Sequence, residues 1–281
     1  MLENDIIPSK NKREVEEMLE SRRMDPVVFN LAGRRALVTG GGTGLGKEMA
    51  HALAIAGASV TICGRRLEPL SLAASELSDS ADIRFIQYDV TRPREELIEF
   101  SRRVGDIDIL VNNAGNVVRK PWLEVDSQDI MDAMIIHVES PLRLSQVFGP
   151  GMAERGFGRI INIVSIWGSS VQDPALYPGV GIDVAPYCLS KHAQLGLTRY
   201  LASVLGPTGV TVNAVSPGPM RVERNAGFYT GPVEKALNSA SPVGRIGIPQ
   251  DVSAAVTFLA SDAASFITGL DLLVDGGSHV W

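Results

Sequence analysis

From Asn30 onward, short apolar runs alternate with stretches of helical periodicity, and this alternation limits the choice of fold most strongly. We predict strands at 36–39, 59–63, 83–88, 108–113, 159–165, 210–216 and 270–274. We predict helices near 46–56, 67–77, 93–104, 127–148, 187–205 and 249–260. Strands that are apolar on both faces and separated by helices are typical of a parallel sheet covered on both sides. The sequence therefore predicts an α/β fold over residues 30–281, a single-domain doubly wound parallel sheet with helices on both faces.

Ligands of such folds bind where the strands end, and the first predicted strand ends in a glycine-rich turn that opens a helix. The turn reads Thr39-Gly40-x-x-x-Gly44-x-Gly46. Glycines there let backbone N–H groups approach a pyrophosphate at the helix N-terminus. Residues 41–47 also fit the first part of a triphosphate-binding loop, but Glu48 stands where that loop needs a serine or threonine for magnesium. We therefore predict a dinucleotide site that includes Gly40, Gly42, Thr43, Gly44, Leu45 and Gly46.

The bulk properties exclude several classes of protein. The chain has 281 residues, and its formal net charge of -6 does not favour a nucleic-acid partner. No apolar run is long enough for a membrane helix, so we predict no membrane partner. Cys63 and Cys188 are too few for a disulfide framework, which favours a cytoplasmic location. Residues 1–29 form a separate N-terminal extension, predicted to be partly helical. No metal site is predicted.

The chain resembles the short-chain dehydrogenase/reductase family, on several motifs that occur in the family's order. These motifs are TGGGTGLG (39–46), DV (89–90), NNAG (112–115), INIVS (161–165), YCLSK (187–191), NAVSPGP (213–219) and FITGLDLLVDGG (266–277). The resemblance implies a Rossmann-like domain and NAD(P)-dependent interconversion of an alcohol and a carbonyl compound. It also implies a small-molecule substrate and, commonly, a homotetramer, with a homodimer as the alternative.

Tyr187 and Lys191 lie four residues apart on a predicted helix, so they share a face. An ordinary tyrosine has a pKa of about 10, and a nearby ammonium group favours the phenolate and lowers that pKa. The phenol then becomes a usable proton donor or acceptor. Ser165 ends a predicted strand, where its hydroxyl can hold the substrate oxygen. By resemblance, Lys191 also hydrogen-bonds the nicotinamide ribose.

Two features depart from the family pattern. The family's asparagine, which links the lysine to a water relay, aligns with His137, and imidazole can both donate and accept. We therefore include His137 among the catalytic residues, with a core histidine without a relay role as the alternative. Ser165 and Tyr187 are 22 residues apart, beyond the family's usual separation. Tyr177 lies within the extra segment, but Gly181 rather than lysine follows it, so Tyr187 is preferred and the insertion is expected to shape the substrate pocket.

The second predicted strand ends at Cys63-Gly64-Arg65-Arg66, without the carboxylate that binds the adenine ribose of NAD. Arginine can instead bind a 2′-phosphate through its N–H groups, so we predict that NADP(H) is preferred and that NAD(H) remains possible. Solvated arginines at a helix start are the alternative interpretation. By resemblance, further cofactor contacts come from Asp89, Val90, Asn112, Asn113, Ala114, Gly115, Pro217, Gly218 and Met220. Val222 stands where the family often has a threonine that binds the carboxamide, which puts that contact in doubt.

The substrate is the least determined part of the prediction. Basic residues suit a carboxylate, and four of them lie in segments that could rim the pocket: Arg119, Lys120, Arg221 and Arg224. The stretches NNAGNVVRKP and VAPYCLSK are similar to family members that act on sugar acids. Trp122 and Trp167 would equally serve a hydrophobic ketone, and reduction of a 3-oxoacyl thioester is a third possibility. A non-catalytic NADP-sensing or scaffold protein on the same fold is the alternative from another class.

Overall fold

A computed structural model describes residues 29–78 and 82–280. Its centre is a seven-stranded sheet in the order β3-β2-β1-β4-β5-β6-β7, and every neighbouring pair of strands is parallel. The strands are β1 Arg35–Thr39, β2 Ser59–Gly64, β3 Ile83–Gln87, β4 Ile109–Asn112, β5 Gly158–Ile163, β6 Val210–Pro217 and β7 Asp271–Val274. The predicted fold class is confirmed. The predicted helix of the N-terminal extension lies in residues 1–28, outside the described residues.

Helices cover both faces of the sheet, because each buries one apolar stripe against it. One face packs against the first, second and last helices, and the opposite face packs against the third, fifth and sixth. The helices are α1 Gly44–Ile55, α2 Leu67–Leu77, α3 Arg94–Val104, α4 Ser127–Met134, α5 Ser140–Glu154, α6 Ala185–Leu205, α7 Gly231–Ala240 and α8 Pro249–Ala260. None of the helices within the described ranges is long and apolar enough to cross a bilayer.

The strand order reverses between β1 and β4, which places the ligand cleft of this fold at their carboxyl ends. The Thr39 hydroxyl joins the two ends. It accepts hydrogen bonds from the backbone N–H groups of Asn113 (2.9 Å) and Ala114 (3.0 Å), and donates to Val111 O (3.3 Å). The two predicted cofactor motifs, TGGGTGLG and NNAG, therefore lie side by side.

The helix predicted at 127–148 is instead interrupted by a π-helical turn, Ile135–Glu139, between α4 and α5. Pro141 has no N–H group, so it cannot donate the usual hydrogen bond to the carbonyl of His137. The N–H of Ser140 reaches back five residues to Ile135 O, and the Ser140 hydroxyl donates to the same oxygen (2.9 Å). The interruption places His137 in the widened turn.

Helix α7 was not predicted, and it encloses a small second core together with the insertion before Tyr187. Tyr177 from the insertion is buried there with Val233 and Leu237 of α7. The partly buried residues packed around them are Trp167, Leu176, Ile182, Phe228 and Tyr229. This core stands beside the carboxyl ends of β5 and β6, where the insertion was expected to shape a pocket.

Candidate active site

The glycine turn after β1 is packed too tightly for side chains. A Cβ at Gly46 would overlap the carbonyl oxygen of Gly40 and lie 2.5 Å from Asn113 Nδ2. The same Nδ2 donates to Thr39 O (2.9 Å) and Gly40 O (3.3 Å), so Asn113 holds the turn closed. Gly40 and Gly44 have φ of 66° and 55°, a region that glycine adopts without strain.

The N-terminus of helix α1 has the features of an anion-binding site. The Thr43 side chain makes no capping hydrogen bond, and the first turn of α1 contains no acidic residue. The first N–H groups of a helix have no intrahelical partner and carry partial positive charge. The glycine turn and this helix end therefore fit a pyrophosphate, as the dinucleotide prediction requires.

The carboxyl ends of β2 and β3 carry the residues predicted to bind the adenosine half of the cofactor. Arg65 and Arg66 are exposed, and neither forms an ion pair with any residue that the structure describes. Arg65 is tethered through its carbonyl oxygen, which accepts from Gln87 Nε2 (2.8 Å). Asp89 Oδ1 accepts from the N–H (3.0 Å) and hydroxyl (2.8 Å) of Thr91, and Val90 is buried. Both arginine side chains are thus available to a phosphate.

The NNAG segment splits into an interior half and a cleft half. Asn112 is buried and donates through Nδ2 to Asn162 Oδ1 (2.8 Å). Its amide therefore lies in the interior between β4 and β5, and a contact of Asn112 with the ribose side stays a prediction. Ala114 and Gly115 follow it at the cleft, and Gly115 is exposed.

The structure brings Ser165, Tyr187 and Lys191 together at the ends of β5 and α6. The Ser165 side chain lies close enough to Tyr187 to lower the pKa of the phenol, and it accepts a hydrogen bond from Trp167 N (3.2 Å). The Lys191 ammonium nitrogen lies 5.5 Å from the centroid of the Tyr187 ring. Lys191 is buried, and its Nζ donates to Ile163 O (2.7 Å) and Gln194 Oε1 (2.8 Å). Gln194 was not singled out from the sequence.

The expected lowering of the Tyr187 pKa does not occur in the structure. Burial raises the pKa of Tyr187 to about 12, and the polar interaction with Ser165 opposes this rise without overcoming it. Burial also lowers the pKa of Lys191 to about 7. An amine that is only partly protonated at neutral pH favours a neighbouring phenolate less than a full ammonium charge does. Tyr187 is therefore a protonated phenol at neutral pH.

His137 contacts the site through Tyr187 rather than through Lys191. Its ring packs edge-on against the Tyr187 ring, with centroids 5.4 Å apart. Nδ1 lies 2.8 Å from the Ser190 hydroxyl, which donates to Tyr187 O (2.8 Å). Nε2 is buried without a hydrogen-bond partner among the described residues and faces Gly115. Burial, followed by the charge of Lys191, lowers the pKa of His137 to about 2, so the imidazole is neutral.

Tyr177, the rival tyrosine, lies in the small second core, one aromatic ring away from Tyr187. Trp167 separates them, with ring centroids 6.3 Å from Tyr177 and 6.2 Å from Tyr187. Burial raises the pKa of Tyr177. No lysine side chain lies over the Tyr177 ring within the described residues, whereas Lys191 lies over that of Tyr187, which supports the preference for Tyr187.

The segment after β6, residues 218–222, packs against the glycine turn through Val222. A Cβ at Gly218 would lie 2.8 Å from Asp275 Cβ, so this glycine allows a close backbone approach. Met220 is buried and bridges to Gly247, and Pro217 ends the β6 ladder beside Val274. Val222 lies 3.7 Å from the Cβ position of Gly44, which places its side chain at the N-terminus of α1.

Comparison with known proteins gives a family match over most of the chain. A family model described as enoyl-(acyl carrier protein) reductase matches residues 40–279. The matched range contains the glycine turn, the Ser165, Tyr187 and Lys191 cluster and the segment after β6.

Three relatives illustrate the range of similar proteins. The chain is 36% identical to galactitol 2-dehydrogenase (L-tagatose-forming) of Cereibacter sphaeroides, over 90% of this chain and 98% of that one. It is 33% identical to 3-oxoacyl-[acyl-carrier-protein] reductase of Rickettsia prowazekii (strain Madrid E), over 89% and 98%. A crystal structure of gluconate 5-dehydrogenase from Burkholderia cenocepacia J2315, in complex with NADP and tartrate, is 33% identical with a TM-score of 0.81, over 90% and 98%.

Proposed function

The chain belongs to the short-chain dehydrogenase/reductase family, and from that premise we propose that it is an NADP(H)-preferring dehydrogenase of polyhydroxy acids. The coarser statement is already established: the protein is an NAD(P)-dependent oxidoreductase that acts on hydroxy compounds. The cofactor preference, the roles of individual residues and the acid group of the substrate are the proposal.

The observation that carries the proposal is the cluster of Ser165, Tyr187 and Lys191, in which Ser165 acts on the Tyr187 phenol and the Lys191 nitrogen lies 5.5 Å from the ring centroid. When bound, the nicotinamide cofactor supplies or accepts the hydride. In the reducing direction, Tyr187 donates its phenolic proton to the carbonyl oxygen, and the Ser165 hydroxyl hydrogen-bonds the same oxygen as charge develops on it. Oxidation needs the phenolate, and the raised pKa of Tyr187 opposes it. The oxidation rate should therefore rise with pH, and the reduction rate should fall.

NADP(H) preference is supported by the charges at the end of β2. Arg65 and Arg66 stand exposed without ion-pair partners among the described residues, and the strand end offers no carboxylate for ribose hydroxyls. A guanidinium group binds a phosphate through charge-assisted hydrogen bonds. The 2′-phosphate of NADP would supply the missing partner.

Two of the four basic residues near the site are paired with carboxylates and two are not paired within the described residues, and this difference supports an anionic substrate. Lys120 is neutralised by Asp126 (3.1 Å) and Asp129 (2.6 Å), and Arg221 by Glu234 (2.6 Å). These two side chains are therefore structural.

Arg119 and Arg224 are different, because neither has a carboxylate partner in the part of the chain that the structure describes. The Arg119 guanidinium lies 4.6 Å above the Phe228 ring. Burial dominates the raised pKa of Tyr187, but the charge of Arg224 opposes it, so Arg224 acts electrostatically on the proposed proton donor. A carboxylate held by Arg119 and Arg224 would place a polyhydroxy acid across the site.

Reduction of a 3-oxoacyl thioester is the second candidate, and it is favoured by the similarity to the Rickettsia reductase and by the exposed Trp122. The non-catalytic alternative, an NADP-sensing or scaffold protein, does not explain the Ser165, Tyr187 and Lys191 cluster, because such a protein needs no proton donor. We further propose a homotetramer in a reducing, cytoplasmic setting, which the free thiols of Cys63 and Cys188 suit.

A substrate panel tests the proposal. We compare kcat/KM with both cofactors for four substrates: a sugar acid, the neutral polyol galactitol, an aromatic ketone and a 3-oxoacyl thioester. We expect the sugar acid to be preferred. Arg119→Gln and Arg224→Gln should each raise its KM by about 10- to 100-fold, the scale of a lost hydrogen bond to a charged group, and leave the KM for galactitol unchanged.

Lys120→Gln is the matched control, because Lys120 is already paired, and it should change the ratio of sugar acid to polyol little. The polyhydroxy-acid proposal fails if galactitol or the acyl thioester is preferred. It also fails if the two arginine variants lower activity on neutral and acidic substrates equally.

A further inference from the structure

The side chain of Lys191 is held by two acceptors on the protein. The Nζ atom donates to Ile163 O (2.7 Å) and to Gln194 Oε1 (2.8 Å), with 4% of Lys191 and 1% of Gln194 exposed. Gln194 lies three residues after Lys191 on α6, so the two side chains share a helix face. An ammonium group has three N–H bonds. Two of them are therefore directed by Ile163 and Gln194.

His137, which aligns with the family's relay asparagine, makes no hydrogen bond to Lys191 among the described residues. Its Nδ1 is paired with Ser190, and its Nε2 has no partner among the described residues. The Ser190 hydroxyl donates its proton to Tyr187 O, so it accepts from an Nδ1–H group on His137. This tautomer leaves Nε2 as a bare acceptor that faces Gly115.

Gln194 is itself part of a buried polar chain that links α6 to the sheet. The Thr198 hydroxyl donates to Gln194 O (2.9 Å) and accepts from Asn162 Nδ2 (2.9 Å). Asn162 Oδ1 accepts from Asn112 Nδ2 (2.8 Å). The chain reaches Gln194 only at its backbone carbonyl, whereas the Gln194 side chain, which contacts Lys191, is not held by Thr198.

We propose that Gln194 is a positioning residue that anchors Lys191 in its working orientation. The inference rests on the proposed function, because it concerns the same site. A carboxylate at this depth would hold the ammonium group charged, whereas an amide oxygen orients it without adding charge. The titratable groups beside Lys191 in the described structure are Tyr187 on α6 and His137 in the π-helical turn.

The first measurement is the titration of Lys191 in the cofactor-free protein, followed by the ¹³Cε shift of labelled lysine and assigned with Lys191→Arg. Gln194→Leu keeps the volume and removes the acceptor, so the lysine pKa should fall by about one unit. Gln194→Glu keeps an acceptor and adds charge, so the lysine pKa should rise by about one unit or more. Thr198→Val is the matched control: it removes a buried hydroxyl on the same helix face and should leave the titration unchanged.

The second measurement is the pH profile of kcat. Gln194→Leu should lower kcat about tenfold, with little change in substrate KM. A loss of this size is expected when one hydrogen bond to a charged group is removed. The profile should move in the same direction as the lysine titration. Gln194→Glu should recover part of the turnover with an alkaline-shifted profile, and Thr198→Val should keep the unmodified profile.

The proposal is overturned if Gln194→Leu and Thr198→Val give the same lysine pKa and the same pH profile of kcat. If Gln194→Leu does not fold, Gln194→Glu decides: an alkaline shift supports the anchoring, and an unmoved titration contradicts it. If the unmodified protein turns over none of the panel substrates, the proposed function fails, and the titration of the cofactor-free protein still decides the role of Gln194.

Discussion

At the scale of single residues, burial governs protonation throughout the site. It keeps Tyr187 protonated, brings the pKa of Lys191 to about 7 and keeps His137 neutral. Residues on the rim have another role, because exposed arginines without ion-pair partners among the described residues are available to bind a ligand. Arg65 is the clearest of these for the cofactor.

Arg65→Asp tests the cofactor preference. The substitution removes the proposed partner of the 2′-phosphate and supplies a carboxylate for ribose hydroxyls. NADP(H) affinity should fall by about 10- to 100-fold, as expected for a lost charge-assisted contact, and NAD(H) should become the preferred cofactor. Dissociation constants are read from the nicotinamide fluorescence of the reduced cofactors.

Arg103→Asp makes the same change of charge at the exposed end of α3, on the amino edge of the sheet, and should alter neither affinity. Equal dissociation constants for the two cofactors in the unmodified protein would contradict the assignment of Arg65.

At the scale of elements, β1, the glycine turn and α1 act as one unit. The turn is possible because Gly46 leaves room for the Gly40 carbonyl and the Asn113 side chain. Asn113 in turn binds the two carbonyls before the helix, which couples the NNAG segment to the phosphate-binding end of α1.

Gly46→Ala should therefore damage folding and binding together. Its methyl group would overlap Gly40 O, and overpacking of this kind typically costs about 1–3 kcal/mol. We expect a lower free energy of unfolding and weaker NADPH binding, measured by denaturant titration and by fluorescence. Gly196→Ala is the matched control, because an added Cβ on this exposed part of α6 meets nothing within 4 Å. It should leave NADPH binding intact.

The strands and most helices could be predicted because their apolar periodicity is strong and local. The π-helical turn was missed because it keeps the apolar pattern of a helix, and Pro141 was the overlooked signal. Helix α7 was missed because it buries only Val233 and Leu237 against a loop. The neutralised state of Lys120 and Arg221 depends on side-chain geometry that no spacing rule encodes. The Gln194 contact was missed although a signal existed, because Gln194 lies three residues after Lys191 on the same helix.

At the scale of the whole molecule, large apolar side chains stay exposed on α6 and beside the edge strand β7. Tyr200 and Val204 on α6 are more than half exposed, and Phe266, shortly before β7, is fully exposed. Exposed apolar surface of this kind marks contacts between protein molecules, and closed symmetric assemblies are the usual outcome for identical chains. These surfaces support the proposed homotetramer.

Light scattering should give the mass of a tetramer at micromolar concentration. Val204→Glu places a charge in the α6 surface and should reduce the assembly, because an unpaired charge is costly in an apolar interface. Leu72→Glu is the control: Leu72 is similarly exposed, on α2 at the other side of the sheet, and its replacement should leave the mass unchanged. A stable monomer in the unmodified protein would refute the tetramer.

The central claim, that Tyr187 transfers the proton in an NADP(H)-dependent reaction, is tested most directly by the turnover of Tyr187→Phe beside Tyr177→Phe. Tyr187→Phe keeps the ring contacts with His137 and Trp167 but removes the transferable proton. Turnover should fall by about two to four orders of magnitude, the scale of a lost general acid, while NADPH binding and folding stay nearly intact. Tyr177→Phe should leave the chemical step nearly unchanged. Loss of turnover in Tyr177→Phe, with activity kept in Tyr187→Phe, would contradict the assignment.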